Sequence, residues 1–137
     1  FEEIRTLDLF GGTGSISYEL ASRGVEDLTI VEKDVAMYEF IKKTAATLRI
    51  ENIQVIKMDV FKYINNCTEQ FDFIFAGPPY ALATIDELPI QIFKNQLLQP
   101  GGWFVLEHTP RNNYTKFEHY KTERNYGTTI FSIFINN

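Results

Sequence analysis

The chain has 137 residues, of which 45% are hydrophobic, and a formal net charge of −5 at pH 7. This length suits one domain with its own core, so residues 1–137 are expected to form a single domain. The acidic balance argues against a strongly basic nucleic-acid-binding protein, although a net charge says nothing about a local basic patch.

Two further properties bear on where the protein works. Cys67 is the only cysteine and has no partner for an internal disulfide, which favours a reducing cytoplasm. No apolar run approaches the roughly 20 residues of a membrane helix, and no basic and then apolar leader opens the chain. Because Phe1 stands only a few residues before an apolar strand, a segment N-terminal to it is expected to be missing.

Apolar runs alternate with longer amphipathic segments, which is the pattern of a parallel sheet flanked by helices. Strands are predicted over 6–10, 28–31, 54–57, 71–75 and 103–107. Helices are predicted over 15–22, 35–48, 60–65 and 86–98, the second with Asp34 as its N-cap and the last ended by Pro100-Gly101-Gly102.

Beyond Glu107 the pattern changes to two alternating, β-rich runs over 119–125 and 128–135. Only Tyr126 and Gly127 separate these runs, so they are predicted to form an antiparallel hairpin. The expected fold is therefore α/β and Rossmann-like. It has a seven-stranded, mostly parallel sheet with helices on both faces and a C-terminal antiparallel hairpin. Trp103 and the phenylalanines of the last strand are expected in its core.

The sequence LDLFGGTG over residues 7–14 predicts an apolar strand that runs into a glycine turn. Gly11, Gly12 and Gly14 allow the backbone to pass close to a ligand, and the start of the next helix offers free N–H groups that suit a carboxylate. Glu32 ends the next strand, at the separation at which an acid binds the hydroxyls of a ribose. Ser17 stands where the dinucleotide fingerprint has its third glycine, so the turn departs from that fingerprint.

Two more acids are expected at the same edge of the sheet. Asp8 lies inside the first strand, where a carboxylate is costly to bury unless it meets a partner. A cofactor with a sulfonium and an ammonium group supplies positive charge, whereas a pyrophosphate would be repelled. Asp59 follows the third strand, where it is placed to accept the exocyclic amine of an adenine while Val60 or Phe61 packs against the ring. The ordinary alternatives are a local backbone partner for Asp8 and a helix N-cap for Asp59.

A rigid turn, Gly77-Pro78-Pro79-Tyr80, follows the fourth predicted strand. Two consecutive prolines restrict the backbone and leave carbonyl groups free to accept hydrogen bonds. Such carbonyls suit an exocyclic amine, because holding its hydrogens steers the nitrogen lone pair towards a methyl donor. Tyr80 is placed to stack on a splayed base. The ordinary alternative is a rigid loop without a binding role.

Together these motifs resemble those of the bacterial 16S ribosomal RNA guanine-N2 methyltransferases, a family of Rossmann-like S-adenosylmethionine-dependent methyltransferases. The resemblance rests on LDLFGGTG at 7–14, VEKD at 31–34, DVF at 59–61, FAGPPY at 75–80, Glu107 and ERNYG at 123–127, of which the first and fourth are the most specific. It implies a methyltransferase fold with S-adenosylmethionine bound by Asp8, Phe10, Gly11, Gly12, Gly14, Glu32, Lys33, Asp59 and Val60.

The same resemblance implies the reaction. A methyl group would pass to the N2 amine of a guanine in ribosomal RNA, at Gly77, Pro78, Pro79 and Tyr80. The RNA would belong to a partly assembled small subunit, and the enzyme would be a cytoplasmic monomer that needs neither a metal nor a membrane. Family members usually carry an N-terminal basic segment that helps to engage RNA.

One position departs from the family pattern. The family has Asp or Asn immediately before the two prolines, and this chain has Gly77. Losing one acceptor that acts in the transition state costs ~3–4 kcal/mol, so slow catalysis is expected, with the Pro78 carbonyl as the remaining acceptor. An aspartate restored at position 77 is expected to raise the rate unless the pocket has adapted to glycine. The candidates to replace the missing side chain are Asp86, Glu87, Glu107 and His108, and the sequence favours none of them.

Other functions stay open at this point. The first alternative is a different acceptor, an adenine amine in DNA or RNA or a protein amine, because the proline turn is shared among those enzymes. A binding module that lost activity with Gly77 is a second alternative. A dehydrogenase is disfavoured by Asp8, Ser17 and the terminal hairpin. Arg111, Lys116, Lys121 and Arg124 form a thin basic run near the expected site, where an RNA would contact them.

Overall fold

The computed structural model describes residues 4–12 and 14–137, which form a seven-stranded sheet and four helices. In chain order the elements are β1 (Arg5–Leu9), α1 (Ser15–Ser22), β2 (Asp27–Val31), α2 (Val35–Thr47), β3 (Ile53–Ile56), α3 (Val60–Asn66), β4 (Phe71–Ala76), α4 (Glu87–Lys94), β5 (Leu98–His108), β6 (Tyr120–Tyr126) and β7 (Thr129–Ile135).

The strands lie side by side in the order β3-β2-β1-β4-β5-β7-β6. The first five are parallel to their neighbours, and β7 is antiparallel to both β5 and β6. The strand order reverses between β1 and β4, and in open α/β sheets ligands bind at the carboxyl ends of the strands at such a point. This topology confirms the α/β, mostly parallel, seven-stranded fold predicted from the sequence.

Alternate residues of each strand face different helices. Leu7, Leu9, Ile74 and Phe104 are buried in a core that includes residues of α3 and α4. Asp8 lies on the opposite face, where Ser17 of α1 donates a hydrogen bond to it. The helices therefore cover both faces of the sheet. No helix of the described residues is long and apolar enough to span a membrane.

The sequence pattern placed the boundary between α4 and β5 wrongly. α4 ends at Lys94, because Gln96 adopts a positive φ of 55° that an α-helix does not accommodate. Leu98 is consequently the first residue of β5, where it pairs with Phe71. Pro100, Gly101 and Gly102 lie inside β5, at a shift of its register with β4, and do not end a helix.

The terminal hairpin is confirmed, with its turn one residue later than predicted. Tyr126 pairs with Thr129, so the two-residue loop is Gly127-Thr128, and Gly127 has a φ of 65°. Trp103 is not a core residue as the sequence suggested, because 45% of its surface is exposed. It occupies the face of β5 opposite to that of Phe104, which is fully buried.

Candidate active site

A cavity of about 560 Å³ opens at the carboxyl ends of the strands, at the point where the strand order reverses. Loops that follow β1, β2, β3 and β4 all contribute to its wall. Its lining residues are Phe10, Gly12, Glu32, Lys33, Asp34, Asp59, Val60, Phe61, Gly77, Pro78, Pro79, Leu82 and Thr84. One continuous cavity therefore joins the glycine turn to the proline turn.

The glycine turn brings the backbone to the cavity wall. Phe10 and Gly12 both line the cavity with positive φ angles, of 62° and 56°. Such an angle is uncommon for a residue with a side chain, so Phe10 is held in a strained conformation at the end of β1. Gly11 does not line the cavity; a glycine is required there because a Cβ atom would lie 2.3 Å from Cγ2 of Ile30.

The Glu32 carboxylate is fixed by two loops at once. Its Oε1 accepts a hydrogen bond from the Gly12 backbone N–H at 3.0 Å, and its Oε2 accepts one from the Asp34 N–H at 2.9 Å. A carboxylate offers about four acceptor positions, so roughly two are left for a ligand. Because Glu32 lines the cavity, these positions suit the paired hydroxyls of a ribose.

Asp8 is buried beneath the glycine turn and does not line the cavity. Only 5% of its surface is exposed, and its Oδ2 accepts a hydrogen bond from the Ser17 hydroxyl at 3.0 Å. Burial raises its pKa to about 7, the Ser17 hydrogen bond opposes that rise, and the nearby Glu32 carboxylate adds to it. The residue that breaks the dinucleotide fingerprint thus supplies the partner of the buried acid.

Asp59 is the N-cap of α3, and one of its two carboxylate oxygens takes no part in the cap. Its Oδ2 caps α3 by accepting from the Lys62 N–H at 3.1 Å, while its Oδ1 has no partner within the described part of the chain. Val60 and Phe61 line the cavity next to it. An acceptor beside an apolar surface suits the amine edge and the face of an adenine.

The two carbonyl groups of the proline pair differ in their hydrogen bonding. The Pro79 carbonyl accepts a hydrogen bond from the Leu82 N–H at 2.9 Å and so closes the turn. The Pro78 carbonyl has no partner among residues 4–12 and 14–137, and Pro78 lines the cavity. The carbonyl that the sequence suggested as an acceptor for an amine therefore has no protein partner in the described part of the chain.

Tyr80 lies beside the cavity mouth with 48% of its surface exposed. Its hydroxyl donates a hydrogen bond of 2.7 Å to Oε2 of Glu107, and this bond raises the pKa of the Tyr80 hydroxyl. The pair joins the proline turn to the end of β5. A tyrosine held in this way presents an exposed ring on which a base is able to stack.

Nine of the thirteen residues predicted for the site line the cavity: Phe10, Gly12, Glu32, Lys33, Asp59, Val60, Gly77, Pro78 and Pro79. The other four, Asp8, Gly11, Gly14 and Tyr80, stand within two residues of a lining residue without lining the cavity, and Gly14 is the N-cap of α1. Sequence reasoning did not single out Leu82 and Thr84, which carry no motif. In the parts of the chain that are described, no three His, Cys, Asp or Glu side chains form a metal site.

Comparisons with known proteins identify the family of the chain. Residues 1–135 match the profile of the family described as conserved hypothetical protein 95. The chain is 31% identical over 112 residues to the putative rRNA methyltransferase YlbH of Bacillus subtilis, covering 79% of this chain and 61% of that protein. It is 26% identical over 126 residues to the ribosomal RNA small subunit methyltransferase D of Buchnera aphidicola, covering 86% and 64%. The chain thus spans about three-fifths of the length of these curated relatives.

A solved structure shows the same fold. The putative methylase of Haemophilus influenzae superimposes with a TM-score of 0.88 at 23% identity, over 98% of this chain and 88% of that one. The strand order and the cavity at its reversal define the class, a Rossmann-like domain with the methyltransferase fold. Within that class the chain belongs to the conserved hypothetical protein 95 family. The relatives named as rRNA methyltransferases confirm the family resemblance predicted from the sequence.

Proposed function

We propose that this chain binds S-adenosylmethionine and transfers its methyl group to the exocyclic N2 amine of a guanine in small-subunit ribosomal RNA. The observation that carries the proposal is that one cavity is lined both by the carboxylates of Glu32 and Asp59, which suit a ribose and an adenine, and by the proline turn. The names of the curated relatives, rRNA methyltransferases, support RNA as the substrate.

The residues present fit the proposed cofactor. Glu32 has acceptor positions left for two ribose hydroxyls, and Asp59 has Oδ1 for the adenine amine. The cavity of about 560 Å³ is within the range of small-molecule and cofactor sites. A pyrophosphate would meet the carboxylates of Glu32, Asp34 and Asp59 in the wall, which disfavours a dinucleotide.

The chain's own residues bind and orient the reactants. When bound, the cofactor would supply an electrophilic methyl group on a sulfonium: an amine nitrogen would bond to the methyl carbon as the carbon–sulfur bond breaks and the neutral thioether leaves. The Pro78 carbonyl is the acceptor for one amine hydrogen, and the exposed Tyr80 ring stacks on the splayed base. No residue of the proposed site forms a covalent bond to the base.

The test is methyl transfer from isotopically labelled cofactor to naked 16S ribosomal RNA and to partly assembled small subunits, using this 137-residue chain. Digestion of the RNA and mass spectrometry of the nucleosides identify the product. N2-methylguanosine is the expected product. Methylated adenine, or transfer to DNA alone, would assign a different acceptor. Cofactor binding without transfer to any RNA would favour a binding module.

A further inference from the structure

The proposed function needs an acceptor for each of the two hydrogens of the target amine. Pro78 is proposed for one, and Gly77 has no side chain to accept the other. Phe75 and Ala76 of β4 pair with Val105 and Leu106 of β5 in parallel register. Continuing this register by one residue places Gly77 opposite Glu107. The two positions are therefore cross-strand neighbours on one face of the sheet.

Distances agree with the register. A Cβ atom built on Gly77 would lie 3.6 Å from Oε1 of Glu107. Oε2 of Glu107 already accepts the Tyr80 hydroxyl, while Oε1 has no hydrogen-bond partner among the described residues. A carboxylate oxygen with open acceptor positions thus stands next to the place where a side chain of residue 77 would project.

The other candidates have partners away from position 77, whereas Glu107 supplies the one polar atom among the three heavy atoms nearest to a Cβ atom built on Gly77. Asp86 accepts a hydrogen bond of 2.8 Å from the Tyr114 hydroxyl. His108 is buried, with its ring nitrogens bound to the Ser132 hydroxyl at 2.7 Å and the Thr109 carbonyl at 2.8 Å. Glu87 lies in the first turn of α4 and accepts from the side-chain amide of Gln91.

We infer that Glu107, held by the Tyr80 hydroxyl, substitutes for the missing side chain at position 77 and accepts one hydrogen of the target amine through Oε1. The inference rests on the proposed function and specifies how its site orients the substrate. Pro78 and Glu107 then hold one hydrogen each, and the nitrogen lone pair is directed to the methyl donor. Glu107 is an acceptor only; the methylated nitrogen releases its proton to water.

This arrangement changes the expected effect of restoring a side chain at position 77. An aspartate there would place a second carboxylate beside that of Glu107, and like charges at this distance repel. Its Cβ atom would also lie 3.2 Å from Cε2 of Phe75, so the ring has to move slightly. Gly77→Asp is therefore expected to slow the parent enzyme, and Gly77→Asn to slow it less.

Single-turnover methylation of the RNA substrate tests the assignment. Glu107→Ala should lower the rate by about 10²–10³-fold with unchanged cofactor affinity, as expected for a contact made in the transition state. Tyr80→Phe keeps the ring and the Oε1 acceptor, so its rate should fall less than tenfold. Adding Gly77→Asn to Glu107→Ala should recover at least tenfold, because the amide oxygen supplies an acceptor at the neighbouring position.

The control is a second glutamate that accepts a hydrogen bond from a tyrosine hydroxyl, away from the proposed site. Glu123 accepts a hydrogen bond of 3.1 Å from the Tyr120 hydroxyl on the opposite face of the sheet, and Glu123→Ala should leave the rate unchanged. A Glu107→Ala rate within threefold of the parent, a Tyr80→Phe rate as low as that of Glu107→Ala, or a double variant without recovery would each overturn the assignment. A parent that methylates no RNA would overturn the proposed function, and the assignment with it.

Discussion

At the scale of single residues, three acids around the glycine turn differ in what surrounds them. Asp8 is buried with one hydroxyl partner, Glu32 joins two loops through backbone N–H groups, and Asp59 caps a helix. Only Glu32 and Asp59 line the cavity. We therefore expect the first acid to affect stability most directly and, under the proposed function, the other two to affect ligand binding.

Asp8 should make the stability of the protein pH-dependent. Its pKa of about 7 in the folded protein lies above the ordinary aspartate pKa of 3.8, so the folded state holds an extra proton between these pH values. The free energy of unfolding should consequently fall as pH rises from about 4 to 7, by up to ~4 kcal/mol, and then level off. Asp8→Asn removes this dependence.

Urea unfolding of both proteins at intervals between pH 4 and 8 measures the difference. Glu118→Gln is the matched control, because 96% of the Glu118 side chain is exposed. Equal pH dependence in Asp8→Asn and the parent would mean that Asp8 is ionised in the folded protein.

Glu32 should determine cofactor affinity. Glu32→Ala removes the proposed acceptor of the ribose hydroxyls, and hydrogen bonds to a charged group contribute roughly 1.5–3 kcal/mol. Calorimetric titration with S-adenosylmethionine should accordingly show about 10- to 150-fold weaker binding. Glu39→Ala, an exposed change on α2, should leave the affinity unaltered. Unchanged affinity for Glu32→Ala would remove Glu32 from the site.

At the scale of elements, the glycine turn depends on how β1, β2 and α2 pack. A Cβ atom added at Gly11 would lie 2.3 Å from Cγ2 of Ile30 in β2 and 3.2 Å from Cδ1 of Ile41 in α2. No side chain fits there without movement. The close approach of these elements places the Gly12 N–H on Glu32, so the packing of the turn and the geometry of the site are linked.

Gly11→Ala should therefore destabilise the fold by ~1–3 kcal/mol through overpacking. Ile30→Ala alone should cost ~2–5 kcal/mol as a cavity change. The double variant should lose less than the sum, because the methyl group at position 11 occupies space that the truncation of Ile30 opens. Urea unfolding of the parent, both single variants and the double variant gives the free energies of this double-mutant cycle. If the two single losses of stability add within about 0.5 kcal/mol in the double variant, the two side chains do not compete for the same space.

At the scale of the whole molecule, an acidic chain must present a local surface to an RNA. Arg111, Lys116, Lys121 and Arg124 are all exposed in the segment that leads into β6 and in β6 itself. Arg124 pairs with Phe131, which in turn pairs with Glu107 at the end of β5. Arg124 therefore lies in the cross-strand row of residues that begins with Glu107.

Arg124→Gln should weaken RNA binding and reduce the slope of log affinity against log salt by about one, as expected for one lost phosphate contact. Fluorescence anisotropy with labelled ribosomal RNA at several salt concentrations gives both quantities. Lys43→Gln, on the exposed face of α2, should change neither. Equal slopes for Arg124→Gln and the parent would exclude this surface from the phosphate contacts.

Much of this protein follows from local sequence alone. Strand and helix periods, the glycine turn and the proline pair are short-range signals, so they predicted the fold class, the hairpin and nine residues that line the cavity. The family profile matches residues 1–135, a range that contains these motifs. Short-range patterns gave the wrong end for α4, which they placed just before Pro100, Gly101 and Gly102. The helix ends earlier because Gln96 has a positive φ, which its residue type does not predict.

Only the tertiary structure decided which distant groups meet. Thirty residues separate Gly77 from Glu107 in the chain, and the register of β4 with β5 brings them together. In the same way, α4 covers the face of β5 that contains Phe104 and leaves Trp103 on the opposite, partly exposed face. A sequence specifies the period of each element, but the pairing of strands and the choice of covered face are properties of the packed sheet.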